Sequence, residues 1–144
     1  MTIPVKTKTS HQLMFPALGN FQPAVDLLAK AGIEERGAIF TRLEVVEFIL
    51  DLVGYTADAP LFTRRLLEPS FGNGDFLLVT AERLLTAYHR EYPLATHPVR
   101  DLKDCLRAVE LHTASFQSTR QKLAALLFQN GLTPADAEEL LGHW

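Results

Sequence analysis

The sequence predicts an α/β protein in which parallel strands alternate with helices. Two short apolar stretches run towards glutamates, Glu68 and Glu110, and a segment with helical periodicity follows each of them. A turn that contains Gly72 and Gly74 separates the first stretch from its helix. Strands that alternate with helices are typical of parallel sheets with right-handed crossovers. We therefore expect a small parallel sheet behind a helical leader, with a ligand-binding turn at the carboxyl ends of the strands.

The composition is that of one globular domain. The chain has 144 residues, of which 47% are hydrophobic and 22% charged, and this is enough for one core. The net charge of −3 gives no general basic surface for binding phosphates. The single cysteine, Cys105, excludes an intramolecular disulfide, suits a reducing cytoplasm and is expected to pack in a strand. The sequence contains no run of about 18 uncharged apolar residues, so no membrane span is expected. The expected location is the cytoplasm.

The amino-terminal part is predicted to be helical. Residues 1–36 are expected to form an arm and a short helix. A second helix is predicted after Thr41, whose hydroxyl would cap it, with Glu44 as the capping-box partner. Gly54 is expected to end this helix. The apolar positions predicted to face the core are Val45, Phe48, Ile49, Leu52 and Val53.

The remaining elements are predicted in the order strand, helix, strand, helix, helix. Thr113 is expected to cap the second of these helices, and Thr133 the third, which has Pro134 in its first turn. A turn-rich connection is expected between the first helix and the second strand. The predicted ranges are 61–67 and 105–111 for the strands, 76–92 and 113–129 for the first two helices, and 94–101 for the connection.

The glycine turn favours a ligand with hydroxyl or ammonium groups. Pro69 cannot donate to a sheet, and Gly72 and Gly74 allow positive φ and close approach of a ligand. The turn lacks the third glycine of a dinucleotide fingerprint and the lysine of a P-loop. Glu68 would also repel a phosphate, and Glu110, on the second strand, would accept hydrogen bonds from ribose hydroxyls. The alternatives are an ordinary βα turn and a solvated glutamate at a strand end.

Three motifs resemble those of a known family. Glu68-Pro69-Ser70-Phe71-Gly72-Asn73-Gly74-Asp75-Phe76 is similar to motif I of the N6-adenine DNA methyltransferases of restriction-modification and related phage-defence systems. Phe40-Thr41 resembles the start of motif X, with Arg42 in place of a proline, and Val109-Glu110-Leu111 resembles motif II. The resemblance covers roughly residues 37–129. It implies that residues 37–144 are the amino-terminal part of a class I methyltransferase domain with a partial Rossmann-like sheet.

The resemblance also implies a site for S-adenosylmethionine (SAM). The acid of motif II would hold the ribose, and the glycine turn would shape the methionine pocket. The start of the motif X helix would cover the carboxylate of SAM, because free amides at a helix N-terminus suit an anion. The implied reaction is methyl transfer from SAM to the exocyclic amine of adenine in DNA. The implied cofactor-binding residues are Phe40, Thr41, Glu68, Pro69, Gly72, Gly74 and Glu110.

The family's catalytic motif, Asn/Asp/Ser-Pro-Pro-Tyr/Phe, is not found. The chain has eight prolines, and no two of them are adjacent. No catalytic residue is therefore assigned, and the five histidines lack the spacing of metal ligands, so no metal site is expected. We interpret the chain as truncated or as a split subunit, inactive alone, that would contact DNA through the rest of the protein.

A second hypothesis is a non-catalytic α/β interaction module or split subunit that binds a protein partner. The absence of the catalytic motif favours this hypothesis, whereas a reading frame that continues into such a motif would favour the methyltransferase. A half-sheet would also expose an edge with open hydrogen-bonding groups, so self-association is expected.

Overall fold

The computed structural model describes residues 41–93 and 97–144. The predicted arm, the short leader helix and Phe40 lie outside the described residues. The described part contains five α-helices, two strands and a 3₁₀ turn at Leu61–Thr63. The helices are α1 (Leu43–Leu52), α2 (Asp75–Glu91), α3 (Pro98–Leu102), α4 (Thr113–Gln129) and α5 (Pro134–His143), and the strands are β1 (Leu66–Glu68) and β2 (Leu106–Ala108).

The two strands pair in parallel, as predicted. Glu68 lies opposite Ala108, and hydrogen bonding continues past both strands. The Val109 N–H donates to the Glu68 carbonyl at 2.9 Å, and the Phe71 N–H donates to the Val109 carbonyl at 3.2 Å. Both strands are shorter than the sequence predicts, and Glu110 follows β2 by two residues instead of ending it. The described residues thus form a small α/β unit in which helices α2 and α3 lie, in sequence, between two parallel strands.

The core lies where α2 meets its neighbours. This helix packs against α1, the 3₁₀ turn and α4, while α5 packs against α3 and α4. Tyr88 is fully buried, and its hydroxyl donates to Asp101 Oδ2 at 2.8 Å. Burial raises the pKa of Cys105 to about 11, and its thiol donates to the Phe62 carbonyl. This cysteine is buried as predicted, but it precedes β2 instead of lying in a strand. Further core side chains are Val46, Leu50, Leu61, Leu84, Leu102, Leu106, Leu127 and Leu140.

The first helix departs from the sequence prediction at its start. It begins at Leu43 after Arg42, and no side chain caps it, so the prediction that Thr41 is the N-cap is wrong. The predicted end is confirmed, because Gly54 has a φ of 67° and Tyr55 N–H donates back to the Leu50 carbonyl. The buried face also differs. Val45, Val46 and Leu50 are buried, Ile49 is half-buried, and Phe48, Leu52 and Val53 are exposed.

Three later predictions have mixed outcomes. Thr133 caps α5 as expected, since its Oγ1 accepts from the Asp136 N–H at 3.2 Å. Thr113 is the first residue of α4 rather than its cap, and no side chain caps this helix. The short helix α3 lies in the region predicted as a turn-rich connection.

Within residues 41–93 and 97–144, no helix is long and apolar enough to cross a bilayer.

Candidate functional site

The glycine bend, residues 69–74, follows β1 directly and leads into α2. Gly72 has a φ of 51° and Gly74 a φ of 86°, which are left-handed conformations that strain any residue with a Cβ. The Gly74 N–H closes the bend by donating to the Phe71 carbonyl at 2.7 Å. The glycines therefore serve the backbone conformation, as the sequence predicts.

The Glu110 carboxylate joins the bend to the end of the second strand. Its Oε2 accepts from the Gly72 N–H at 2.8 Å, and its Oε1 accepts from the His112 N–H at 2.7 Å. These backbone donors, His112 first, lower the pKa of the Glu110 carboxyl below its ordinary value. An ionised carboxylate therefore stands beside the glycine bend, with its position fixed by two backbone amides.

The Glu68 carboxylate contacts the same bend. Glu68 is the last residue of β1, and its Oε1 accepts from the Ser70 N–H at 3.2 Å. The amides that bind Glu68 and Glu110 belong to residues two positions apart. The structure thus brings the two predicted acids, Glu68 and Glu110, to the carboxyl-terminal end of the sheet, where both accept hydrogen bonds from the glycine bend.

Much of the bend remains open to solvent. Pro69, Ser70 and Asn73 are exposed. A Cβ built on Gly72 would meet no atom within 4 Å, so the space over this glycine is open. A ligand can therefore approach the backbone at Gly72, beside the bend to which both acids are bonded.

Helix α4 supports the bend from the other side, which the sequence did not reveal. Thr119 is fully buried, and its hydroxyl donates to the Gly72 carbonyl at 3.1 Å. Lys122 Nζ donates to the Asn73 carbonyl at 2.9 Å. A Cβ on Gly74 would lie 2.4 Å from Thr119 Cγ2. No local pattern signals these contacts, because 47 residues separate Thr119 from Gly72.

The structure locates the motif X residues only in part. Thr41 is half-buried and lies two residues before α1, which packs against α2, the helix that begins after the bend. Phe40 lies outside the described residues. The contact of this segment with a ligand carboxylate therefore stays a prediction.

The arrangement suits hydrogen-bond donors and cations rather than phosphates. Each oxygen of an ionised carboxylate accepts more than one hydrogen bond, so Glu110 retains acceptor capacity beyond its two amide partners. Two carboxylates at one bend would repel a phosphate. In the part of the chain that the structure describes, no three His, Cys, Asp or Glu side chains cluster as metal ligands would.

Comparison with known proteins identifies relatives of this chain. No protein-family model matches the chain, and no solved structure matches it either. It is 50% identical over 136 residues to the Type II methyltransferase M.PaeR7I of Pseudomonas aeruginosa. The aligned region covers 94% of this chain and 24% of that relative. It is 46% identical over 111 residues to the Type II methyltransferase M.XhoI of Xanthomonas vasicola, covering 77% of the chain and 20% of the relative.

A more distant relative gives the same description. The Type II methyltransferase M.BstVI of Geobacillus stearothermophilus is 34% identical over 108 residues, covering 75% of the chain and 19% of the relative. The chain spans at most about a quarter of the length of the curated relatives it matches. It is therefore homologous to a part of the Type II methyltransferases.

Proposed function

We propose that this chain is the SAM-binding portion of a DNA adenine-N6 methyltransferase of a restriction-modification or phage-defence system. The observation that carries the proposal is the glycine bend with two carboxylates bonded to its amides, Glu68 at the end of β1 and Glu110 two residues after β2. The relationship to Type II methyltransferases supports it, and so does the resemblance of residues 68–76 to motif I.

The residues of the site fit SAM by their chemistry. Glu110, held by the Gly72 and His112 amides, offers its remaining lone pairs to the ribose hydroxyls. Glu68 provides negative charge for the ammonium of the methionine part, and the open space over Gly72 lets that part approach the backbone. Thr41 and Phe40 complete the proposed site at the carboxylate end, and Pro69 and Gly74 shape the turn.

In the proposed reaction, SAM supplies the methyl group that the exocyclic amine of adenine receives. The residues described here bind and orient the cofactor, and none of them is assigned to the chemical step. That step, like contact with DNA, is proposed for the rest of the protein, in line with the net charge of −3, which gives this chain no general basic surface.

Calorimetry with S-adenosylhomocysteine tests the proposal. We expect the folded chain to bind it, and Glu110→Gln to weaken binding about 10-fold or more, because hydrogen bonds to a charged group contribute about 1.5–3 kcal/mol. Glu82→Gln is the matched control, since Glu82 is an exposed carboxylate on α2, away from the bend. The absence of binding heat with a folded sample, both for this chain and for a longer protein that contains it, would refute the proposal.

The second candidate is an interaction module or split subunit that binds a protein partner. Exposed apolar side chains favour it, since Leu67 is 63%, Val53 64% and Leu111 96% exposed. A reading frame that continues into an Asn-Pro-Pro-aromatic sequence would support the methyltransferase. A folded chain that does not bind S-adenosylhomocysteine would support the interaction module.

A further inference from the structure

We infer that helix α4 sets the conformation of the SAM site through Thr119 and Lys122, which act as positioning residues for the glycine bend. This inference rests on the proposed function, because it assigns the bend a ligand. The two side chains hold adjacent carbonyls of the bend, those of Gly72 and Asn73, at 3.1 Å and 2.9 Å.

Thr119 determines the direction of one peptide group. Its hydroxyl draws the Gly72 carbonyl towards α4. The carbonyl and the N–H of a trans peptide point in opposite directions, so the N–H of the next residue, Asn73, points away from α4. Asn73 is exposed, which leaves room for a ligand beside this residue. Thr119 thereby presents a backbone donor to the site without touching a ligand itself.

Thr119 also restricts the bend by its shape. Its Cγ2 and Oγ1 lie 2.4 Å and 3.0 Å from the position a Cβ would take on Gly74. The side chain is fully buried, so it cannot move aside into solvent. Gly74 and Thr119 therefore fit as a pair, because the methyl group of Thr119 occupies the space that a Cβ on Gly74 would need.

Lys122 acts from one turn further along the same face of α4. Its position three residues after Thr119 places both side chains on the side of the helix that meets the bend. Its ammonium group donates to the Asn73 carbonyl, the carbonyl next to the one that Thr119 holds. Because the lysine is exposed, it can be replaced without disturbing the core.

The test compares three threonine variants. Thr119→Val removes the hydroxyl at nearly constant volume, Thr119→Ser keeps it, and Thr80→Val is the matched control. Thr80 is also fully buried, but its hydroxyl donates to the Phe76 carbonyl of its own helix at 2.9 Å. Calorimetry gives the affinity for S-adenosylhomocysteine. Hydrogen exchange without ligand gives the opening of the Gly72 and Gly74 amides, which donate to Glu110 and to the Phe71 carbonyl.

We expect Thr119→Val to lose about 3- to 10-fold in affinity and to exchange the bend amides faster by a similar factor, the range of one hydrogen bond. Thr119→Ser should restore both values, and Thr80→Val should leave both unchanged. The inference is overturned if Thr119→Val matches Thr80→Val in affinity and exchange, or if Thr119→Ser is as impaired as Thr119→Val.

Two further outcomes are distinguishable. If neither the unmodified chain nor a longer protein that contains it gives binding heat, the proposed function fails, and the exchange measurements alone decide whether α4 positions the bend. If Thr119→Val does not fold, Lys122→Met replaces it: faster exchange of the bend amides supports the inference, and unchanged exchange overturns it.

Discussion

At the residue scale, a single carboxylate links the glycine bend to the loop that follows β2. Glu110 accepts from an amide of its own loop, that of His112, and from one in the bend, that of Gly72. Both contacts favour the ionised form. The residue proposed to bind ribose is therefore also a structural link within the site.

We expect Glu110→Gln to make folding less sensitive to acid. The folded pKa of Glu110 lies below its ordinary value of 4.5, so its charge stabilises the fold above that pH. This stabilisation is lost as the pH falls from the ordinary value through the folded pKa. The difference in urea midpoint between the unmodified chain and Glu110→Gln should therefore be larger at neutral pH than in strong acid.

Glu82→Gln serves as the control for this pH dependence, because Glu82 is exposed on α2 and lies away from the bend. Other carboxyls contribute to the acid response of the unmodified chain, among them Asp101, whose pKa is lowered by Arg100. The comparison between variants removes those shared contributions. A midpoint difference for Glu110→Gln that stays constant with pH would contradict the assignment.

The two glycines of the bend should differ in their tolerance of alanine. At Gly72 a Cβ meets open space, so Gly72→Ala should cost only the left-handed backbone strain of about 1–2 kcal/mol. At Gly74 a Cβ would also collide with Thr119 Cγ2, and overpacking adds about 1–3 kcal/mol. Urea unfolding should therefore show a larger loss for Gly74→Ala, and equal losses would contradict the observed contact.

At the element scale, the sequence predicts local features well and packing faces less well. The glycine bend and the cap of α5 depend on neighbouring residues, and both are found. The parallel pairing of the strands, predicted from the alternation of strands and helices, is also found. In α1, apolar residues occupy most positions, so periodicity does not select one stripe. Packing against α2 buries Val45, as predicted, but it also buries Val46 and Leu50, which the predicted face does not include.

The same distinction holds for the site itself. Glu68, Gly72, Gly74 and Glu110 lie in short motifs or at strand ends, so the sequence predicts their proximity. The contribution of Thr119 depends on how α4 packs against α2, which no local pattern specifies. A buried threonine within a helix is unremarkable in sequence, and only the fold shows that its hydroxyl reaches the bend.

Helix capping gives a direct test at this scale. Thr133→Ala should lower the free energy of unfolding by about 1 kcal/mol, because the Asp136 N–H loses its side-chain acceptor. Thr113→Ala is the matched control, since Thr113 is exposed and α4 has no side-chain cap. Its free energy of unfolding should change by no more than about 0.5 kcal/mol. A loss at Thr113 equal to that at Thr133 would show that the hydroxyl of Thr113 does cap α4.

At the scale of the whole molecule, Trp144 links three elements. Its indole N–H donates to the Leu102 carbonyl of α3 at 3.1 Å. Its own carbonyl accepts from the Ala108 N–H at 2.7 Å, on β2. The residue after α5 therefore covers a backbone donor of β2, whereas within the described segments the sheet holds no third strand beside β1.

The outer edge of β1 leads to the last prediction, that the chain self-associates at high concentration. The Leu66 N–H and the Glu68 carbonyl bond towards β2, so the backbone groups of Leu67 face away from it. Leu67 itself is 63% exposed. Within residues 41–93 and 97–144 no strand pairs with this side of β1. An apolar edge of this kind is a template for pairing with a second chain.

Light scattering over a concentration series, with Leu67→Lys, tests this edge, because a charged side chain disfavours edge-to-edge pairing. We expect the average mass of the unmodified chain to rise with concentration, and that of Leu67→Lys to stay at the mass of a monomer. Leu52→Lys is the matched control, since Leu52 is 49% exposed on α1 and leaves the edge intact. If both variants lose association equally, general apolar exposure causes it, and if the unmodified chain stays monomeric, the edge does not pair. Only a selective loss in Leu67→Lys assigns self-association to the open side of β1.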